Sequence, residues 1–110
     1  MPRPKKCRFI QLEPNVTYFK PRGIPLVELE EVNLTFEEFE ALRLHDVENL
    51  KEEKACKKMK ISRTTFHRIL ISAQKKVAQA LVFGKAIRIE GGDYKINQKS
   101  NIKYQKYISE

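Results

Sequence analysis

Directly behind Ser62, in the stretch KMKISRTTFHRILISAQKKV from Lys58 to Val77, five residues able to touch a polyanion crowd together: Arg63, Thr64, Thr65, His67 and Arg68. Arginine forks onto phosphates or onto the guanine edge, while threonine and histidine exchange hydrogen bonds with base edges. Lys57, Lys58, Lys60 and Lys75 surround this group with further positive charge. The chemistry suggested is nucleic-acid recognition, and it depends on whether one helix turns these side chains outward together.

With Ser62 set at zero and a helix advancing 100° per residue, Phe66, Ile69, Leu70, Ala73, Val77, Ala80 and Leu81 fall within about −20° to +100°. That stripe is a core face. Thr64, His67, Arg68, Ile71 and Lys75 fall opposite it, with Arg63 and Thr65 on its flanks near the start. Ser62 suits an N-cap. The exposed side of the first turns is the side that a recognition helix turns toward the major groove.

Two helices precede this one. LTFEEFEALRLHDV has Thr35 three residues before Glu38, the capping-box spacing, and Leu34 and Phe39 at the spacing of a hydrophobic staple. The first helix is therefore expected to start at Thr35. LKEEKACKKM forms a short second helix with Ala55, Cys56 and Met59 on one side. Lys60 and Ile61 make the turn into the third. Three helices with so short a break before the last make a helix-turn-helix plausible, although a plain three-helix bundle shares the spacing.

Around this middle, MPRPKKCR reads as an exposed basic arm whose Arg3, Lys5 and Lys6 could follow a phosphate strand or enter the minor groove. Val16 to Phe19 is a short β-prone stretch and Pro21 to Pro25 a loop. EGGD, between KAIRI and YKI, reads as a hairpin turn. The expectation is that NVTYF and this hairpin pair into a small sheet closing one side of the helices. Residues 97–110 are polar and without a clear period.

The 110 residues suffice for one modest core, and the net charge is +8. The charge is polarised: +5 over residues 1–27, −7 over 28–50 and +10 over 51–110. A basic surface of this kind favours a polyanion, unless it is a lysine-rich solubility coat. No apolar run approaches a membrane span, and two cysteines, Cys7 and Cys56, fit a reducing cytoplasm better than a secreted domain. Cys7, His45, Cys56 and His67 lack the paired spacing of a zinc finger. The clustered glycines, Gly91 and Gly92, make no phosphate-binding pattern. The acidic run from Glu28 to Glu40 reads as a solvated face plus helix-start acids suited to the helix dipole. An enzyme, a cofactor, a metal or an identifiable small-molecule ligand is not expected.

LTFEEFEALRLHDVENLKEEKACKKMKISRTTFHRIL resembles the helix-turn-helix of sigma-factor region 4, in its leucine-threonine opening and its serine-arginine-x-threonine entry to the recognition helix. With MPRPKKCR, VTYFKPRGIPL and GKAIRIEGGDY, residues 1–96 resemble domain-of-unknown-function family 134, also called uncharacterised protein family 0251. The resemblance implies a helix-turn-helix DNA binder. This chain departs from the family's pattern at Lys51, where a serine or threonine cap is usual, and at Lys60, where glycine is usual. A residue with a Cβ at that turn must adopt or avoid a left-handed backbone.

The combined expectation is a mainly α protein: a three-helix unit over residues 34–83 flanked by a small sheet from the N-terminal segment and a C-terminal hairpin, 85–96. Arm, helices and hairpin form one domain, 1–96, followed by a tail. The expected partner is double-stranded DNA, read as a transcriptional regulator, with RNA a minor possibility. A homodimer is expected through Ile71 and apolar tail residues such as Ile102 and Tyr104, because doubling the unit reads a longer palindromic site. The rival is a protein-interaction adaptor that uses the helix-turn-helix to bind protein and the acidic 28–50 segment to meet a basic partner.

Overall fold

Thr35 starts the first helix as its spacing requires. Its hydroxyl accepts from the Glu38 amide at 3.2 Å, and the Glu38 carboxylate accepts from the Thr35 amide at 2.9 Å. Both halves of the capping box are made. Leu34 and Phe39 meet in one apolar cluster, completing the staple. Thr35→Ala should therefore cost about 1 kcal/mol, read as a lower midpoint in denaturant.

The computed structural model describes residues 8–11 and 14–92, and the backbone of 94–96. The strands are β1 (Arg8–Ile10), β2 (Tyr18–Phe19), β3 (Glu31–Leu34), β4 (Ala86–Ile89) and β5 (Tyr94–Ile96). The helices are α1 (Phe36–Leu42), α2 (Glu52–Lys58) and α3 (Arg63–Phe83). A short 3-10 turn, Leu26–Glu28, precedes β3, and α1 runs on through a wider π-helical turn, Arg43–Val47.

α3 spans 21 residues and is the axis of the molecule. Ser62 caps it, its hydroxyl oxygen accepting from the Thr65 amide at 3.1 Å. Gly84 ends it in the left-handed conformation (φ 65°), with its amide donating to the Ala80 carbonyl. The first half of α3 packs on α1 and α2 through Phe66 and Leu70, which meet Ala41, Leu44, Ala55, Cys56 and Met59 in the main core. Cys56 is the small core residue its position suggested, with its Sγ donating to the Glu53 carbonyl. Further along, Ala73 packs on Leu34 and Ile89 of the sheet. Leu81 departs from the expected stripe: it is 78% exposed, because the helices that cover the first half of α3 do not reach its last turn.

β4 is the middle strand of a three-stranded mixed sheet, antiparallel to β2 and parallel to β3. β1 and β5 form a separate parallel pair. The pairing of NVTYF with KAIRI thus holds at Tyr18 and Phe19, but the expected hairpin does not form. Both edges of β4 are taken, by β2 and by β3, a strand the sequence reading had not singled out. Gly91 and Gly92 carry φ of 82° and 101°, and the Gly91 carbonyl accepts from the Phe36 amide at the start of α1. The chain is thereby led past α1 to β1 instead of back along β4.

The solvated-face reading of the acidic run also needs correction. Glu40 is fully buried, and its carboxylate takes both Nε and Nη2 of Arg43 at 2.8 and 2.9 Å. Arg43 also contacts Glu48 and donates to Gln11 Oε1 at 2.7 Å, while the backbone amide of Gln11 donates to Glu40 Oε2. Glu38 is buried too, between Ser72 Oγ at 2.5 Å and Lys76 Nζ at 2.8 Å. Burial pushes the Glu38 carboxyl up, but Lys76, Ser72 and the Thr35 amide together outweigh it and hold the group below its ordinary value. These acids fasten α1 to α3 and to β1.

On the open face of the sheet, Arg88 forks onto Glu31 at 2.8 and 3.0 Å, and the Tyr18 hydroxyl donates to the same carboxylate at 2.6 Å. The Arg88 guanidinium, then Tyr18, lowers the Glu31 carboxyl from 4.5 to about 2. A depressed folded-state pKa stabilises above the ordinary carboxylate range, and that contribution is lost as pH falls from about 4.5 toward about 2. Carboxyl-carbon NMR should find Glu31 titrating near the lower limit. Arg88→Ala should return it toward 4.5; an unmoved midpoint would remove Arg88 as the cause.

Candidate nucleic-acid interface

The first two turns of α3 present the residues singled out in the sequence. Arg63, Thr64, His67 and Arg68 are exposed and line one open concavity with Glu52. Phe66 and Leu70, interleaved with them, are buried, so the helix separates its core face from its outward face at single-residue resolution. Lys75 is exposed one turn past Ile71, which is itself 47% exposed. Lys57, Lys58 and Lys60 are exposed at the end of α2 and in the turn that follows.

Thr65 sits differently from its neighbours. It is half-buried, and Ser62 Oγ donates to its hydroxyl oxygen at 2.9 Å. Its side chain is occupied in closing the first turn. Arg3, Lys5 and Lys6 lie outside the described residues, as do Cys7 and the whole tail from 97 to 110. Arg8, the last residue of the expected arm, is instead part of β1 and pairs with Glu37 at 3.2 Å.

The turn itself carries two features. Lys60 takes the left-handed backbone at φ 56°, the conformation for which glycine is the unstrained residue. Its ammonium lies 4.4 Å from the centre of the Phe9 ring, and the Phe9 amide donates to the Met59 carbonyl at 3.0 Å. β1 therefore buttresses the turn between α2 and α3. Lys51, the other departure from the family's pattern, precedes α2 in an extended conformation and makes no side-chain cap.

Glu52 is the residue that sequence reasoning missed. It opens α2, and both of its carboxylate oxygens lie 3.1 Å from His67 Nδ1. A carboxylate can only accept, so Nδ1 is the donor in this contact and Nε2 is left as the ring's second polar atom. Nothing in the linear spacing of positions 52 and 67 signals this pair; it exists because α2 packs across α3.

Electrostatics sharpen the contrast between the acidic segment 28–50 and the basic surroundings of α3. Of the eight acids between positions 28 and 50, seven have a partner within the chain: Glu30 with Lys85, Glu31 with Arg88, Glu37 with Arg8, Glu38 with Lys76, Glu40 and Glu48 with Arg43, and Asp46 with His45. Among the described residues, Arg63, Arg68, Lys57, Lys58 and Lys75 form no ion pair with an acid. The acidic segment is largely satisfied internally, and the positive charge around α3 faces solvent.

The described residues thus form a small protein of three α-helices, a three-stranded mixed sheet and a two-stranded parallel pair, with a basic face on α3. The chain belongs to the family described as a protein of unknown function, DUF134, whose model matches residues 1–97. It is 62% identical over 96 residues to a UPF0251 protein of Caldanaerobacter subterraneus subsp. tengcongensis, covering 87% of this chain and 81% of that one. A UPF0251 protein of Thermoanaerobacter pseudethanolicus is 59% identical with the same coverage. One of Pelotomaculum thermopropionicum is 55% identical over 98 residues, covering 89% of this chain and 74% of the relative. No solved structure matches the chain. Among the described residues no helix is long and apolar enough to cross a membrane.

Proposed function

We propose that this protein binds duplex DNA and acts as a transcriptional regulator, with α2, the turn at Lys60 and α3 working as a helix-turn-helix of the sigma region 4 kind. The observation that carries the reading is the exposed cluster Arg63, Thr64, His67 and Arg68 on the outward side of α3, interleaved with Phe66 and Leu70 that face the core. Arg63 and Arg68 reach phosphates or guanine edges. Thr64 and His67, held by Glu52, lie nearest the bases, and Lys57, Lys58, Lys60 and Lys75 neutralise the flanking backbone. Arg3, Lys5 and Lys6 add sequence-independent affinity from the arm. The adaptor reading is the weaker one, since a basic partner would have to displace the intramolecular pairs that already occupy most of the acidic segment.

The test is duplex selection from a random pool with the full chain, followed by anisotropy titrations at several salt concentrations. A DNA binder enriches a motif and loses affinity with a slope near −0.9 in log K against log salt for each phosphate neutralised. Absence of any duplex binding at low salt and micromolar protein would falsify the proposal and favour the adaptor.

A further inference from the structure

The last turn of α3 runs beyond the elements that cover its first half. At 100° per residue, Ala80 points into the core, where it is 4% exposed, and Val82 points nearly the opposite way. Leu81 and Phe83 flank Val82 on either side. The three are 78%, 74% and 69% exposed. Phe19, also exposed, shares with Leu81 a shallow groove that Pro21 and Ile87 extend. Three consecutive large apolar residues covering the outward half of a helix contribute nothing to the chain's own core. A contiguous patch of this kind marks an interaction surface.

The borders of the patch say what covers it. On the Leu81 side the groove is bordered by Lys20. On the Phe83 side a second groove is bordered by Glu28 and Glu30, with Lys85, which lines both grooves, paired to Glu30 at 3.4 Å, so that Glu28 is the acid this flank offers to a partner. An apolar ridge with a basic flank on one side and an acidic flank on the other is complementary to itself. A two-fold axis running along the end of α3 exchanges the flanks, setting the lysine side of one copy against the acidic side of the other. The result is an apolar centre with a charge-matched polar rim, the usual anatomy of a specific interface.

We propose that the C-terminal turn of α3 is a self-association surface, on which Leu81, Val82 and Phe83 pack against the same turn of a second copy, with Lys20 facing the partner's Glu28. The two α3 helices meet at their C-terminal ends and diverge toward Ser62. This surface is distinct from Ile71, which lies among the proposed DNA-contacting residues. Val82 stands roughly 20 to 30 Å along the helix from Arg68 and Arg63 and about 10 Å from Lys75, and association is read in the absence of nucleic acid, so it stands or falls apart from the DNA-binding reading.

Sedimentation velocity on the full chain across the micromolar range provides the test. The native protein should show a concentration-dependent monomer–dimer equilibrium. Val82→Lys places like charges at the axis and should weaken the dimer at least about tenfold, equivalent to roughly 1.4 kcal/mol. Circular dichroism should show the variant folded, since the replaced side chain is exposed. Lys20→Glu and Glu28→Lys should each weaken self-association, and an equimolar mixture of these two variants should recover it, because each heterodimer contact then pairs opposite charges. A strictly monomeric native protein overturns the proposal, as does a Val82→Lys variant that dimerises like the native chain, or a mixture that shows no recovery.

Discussion

Arg43→Ala is expected to lower the stability of the fold by about 3–5 kcal/mol, the usual consequence of stripping one partner from a buried ion pair. Glu40 is 0% exposed and receives two hydrogen bonds from Arg43, so the substitution leaves a carboxylate inside the protein with its principal counter-charge gone. The same guanidinium holds Gln11 and meets Glu48, so the loss also loosens β1 and the π-helical turn. Replacing both members with apolar residues of similar size, Glu40→Leu with Arg43→Met, should cost much less than Arg43→Ala alone, because no charge is then stranded. Urea unfolding of the native, single and double variants gives the coupling directly. A loss below about 1 kcal/mol for Arg43→Ala, the level of an exposed pair, would show that water or a neighbouring group compensates Glu40.

Phe66→Ala and Arg68→Ala should separate folding from recognition two residues apart. Phe66 is fully buried in the core shared by the three helices, and its truncation should cost about 3–5 kcal/mol of stability. Arg68 is exposed on the opposite side of α3, so its removal should change stability within roughly ±0.5 kcal/mol. Its effect should instead fall on the duplex. A bidentate contact to a base edge predicts a loss on the order of 1–3 kcal/mol confined to particular base pairs, whereas a phosphate contact weakens all sequences alike. Thermal melting and duplex affinity, measured on both variants, decide. If Arg68→Ala unfolds the protein, or binds the best site as tightly as the native chain, this face of α3 is not the reading surface.

The features legible in the linear sequence are those set by near neighbours. The capping box at Thr35 needs only a hydroxyl and a carboxylate three residues apart, and the Ser62 cap only a hydroxyl ahead of free amides. The burial of Phe66, Leu70 and Ala73 beside the exposure of Thr64, His67 and Arg68 follows from the 3.6-residue period alone. The shared exposure of Arg63, Thr64, His67 and Arg68 was readable for the same reason: one helix presents all four. What tertiary structure decided is everything that depends on which surfaces meet. The hairpin pattern in KAIRIEGGDYKI is real as β propensity, but a strand has two edges, and β2 and β3 occupy both edges of β4. Leu81 has the period of a core residue but lies past the end of the helices that cover α3. Glu38 and Glu40 have the composition of a solvated face, yet they are buried: Lys76 of α3 is brought to Glu38, and Gln11 beside β1 closes over Glu40 and its near neighbour Arg43, and a paired charge tolerates an interior that an unpaired one does not. Glu52 joins His67 only where α2 crosses α3. Local spacing sets caps, periods and faces within each element; partner, edge and depth are set by the packing of elements distant in the chain.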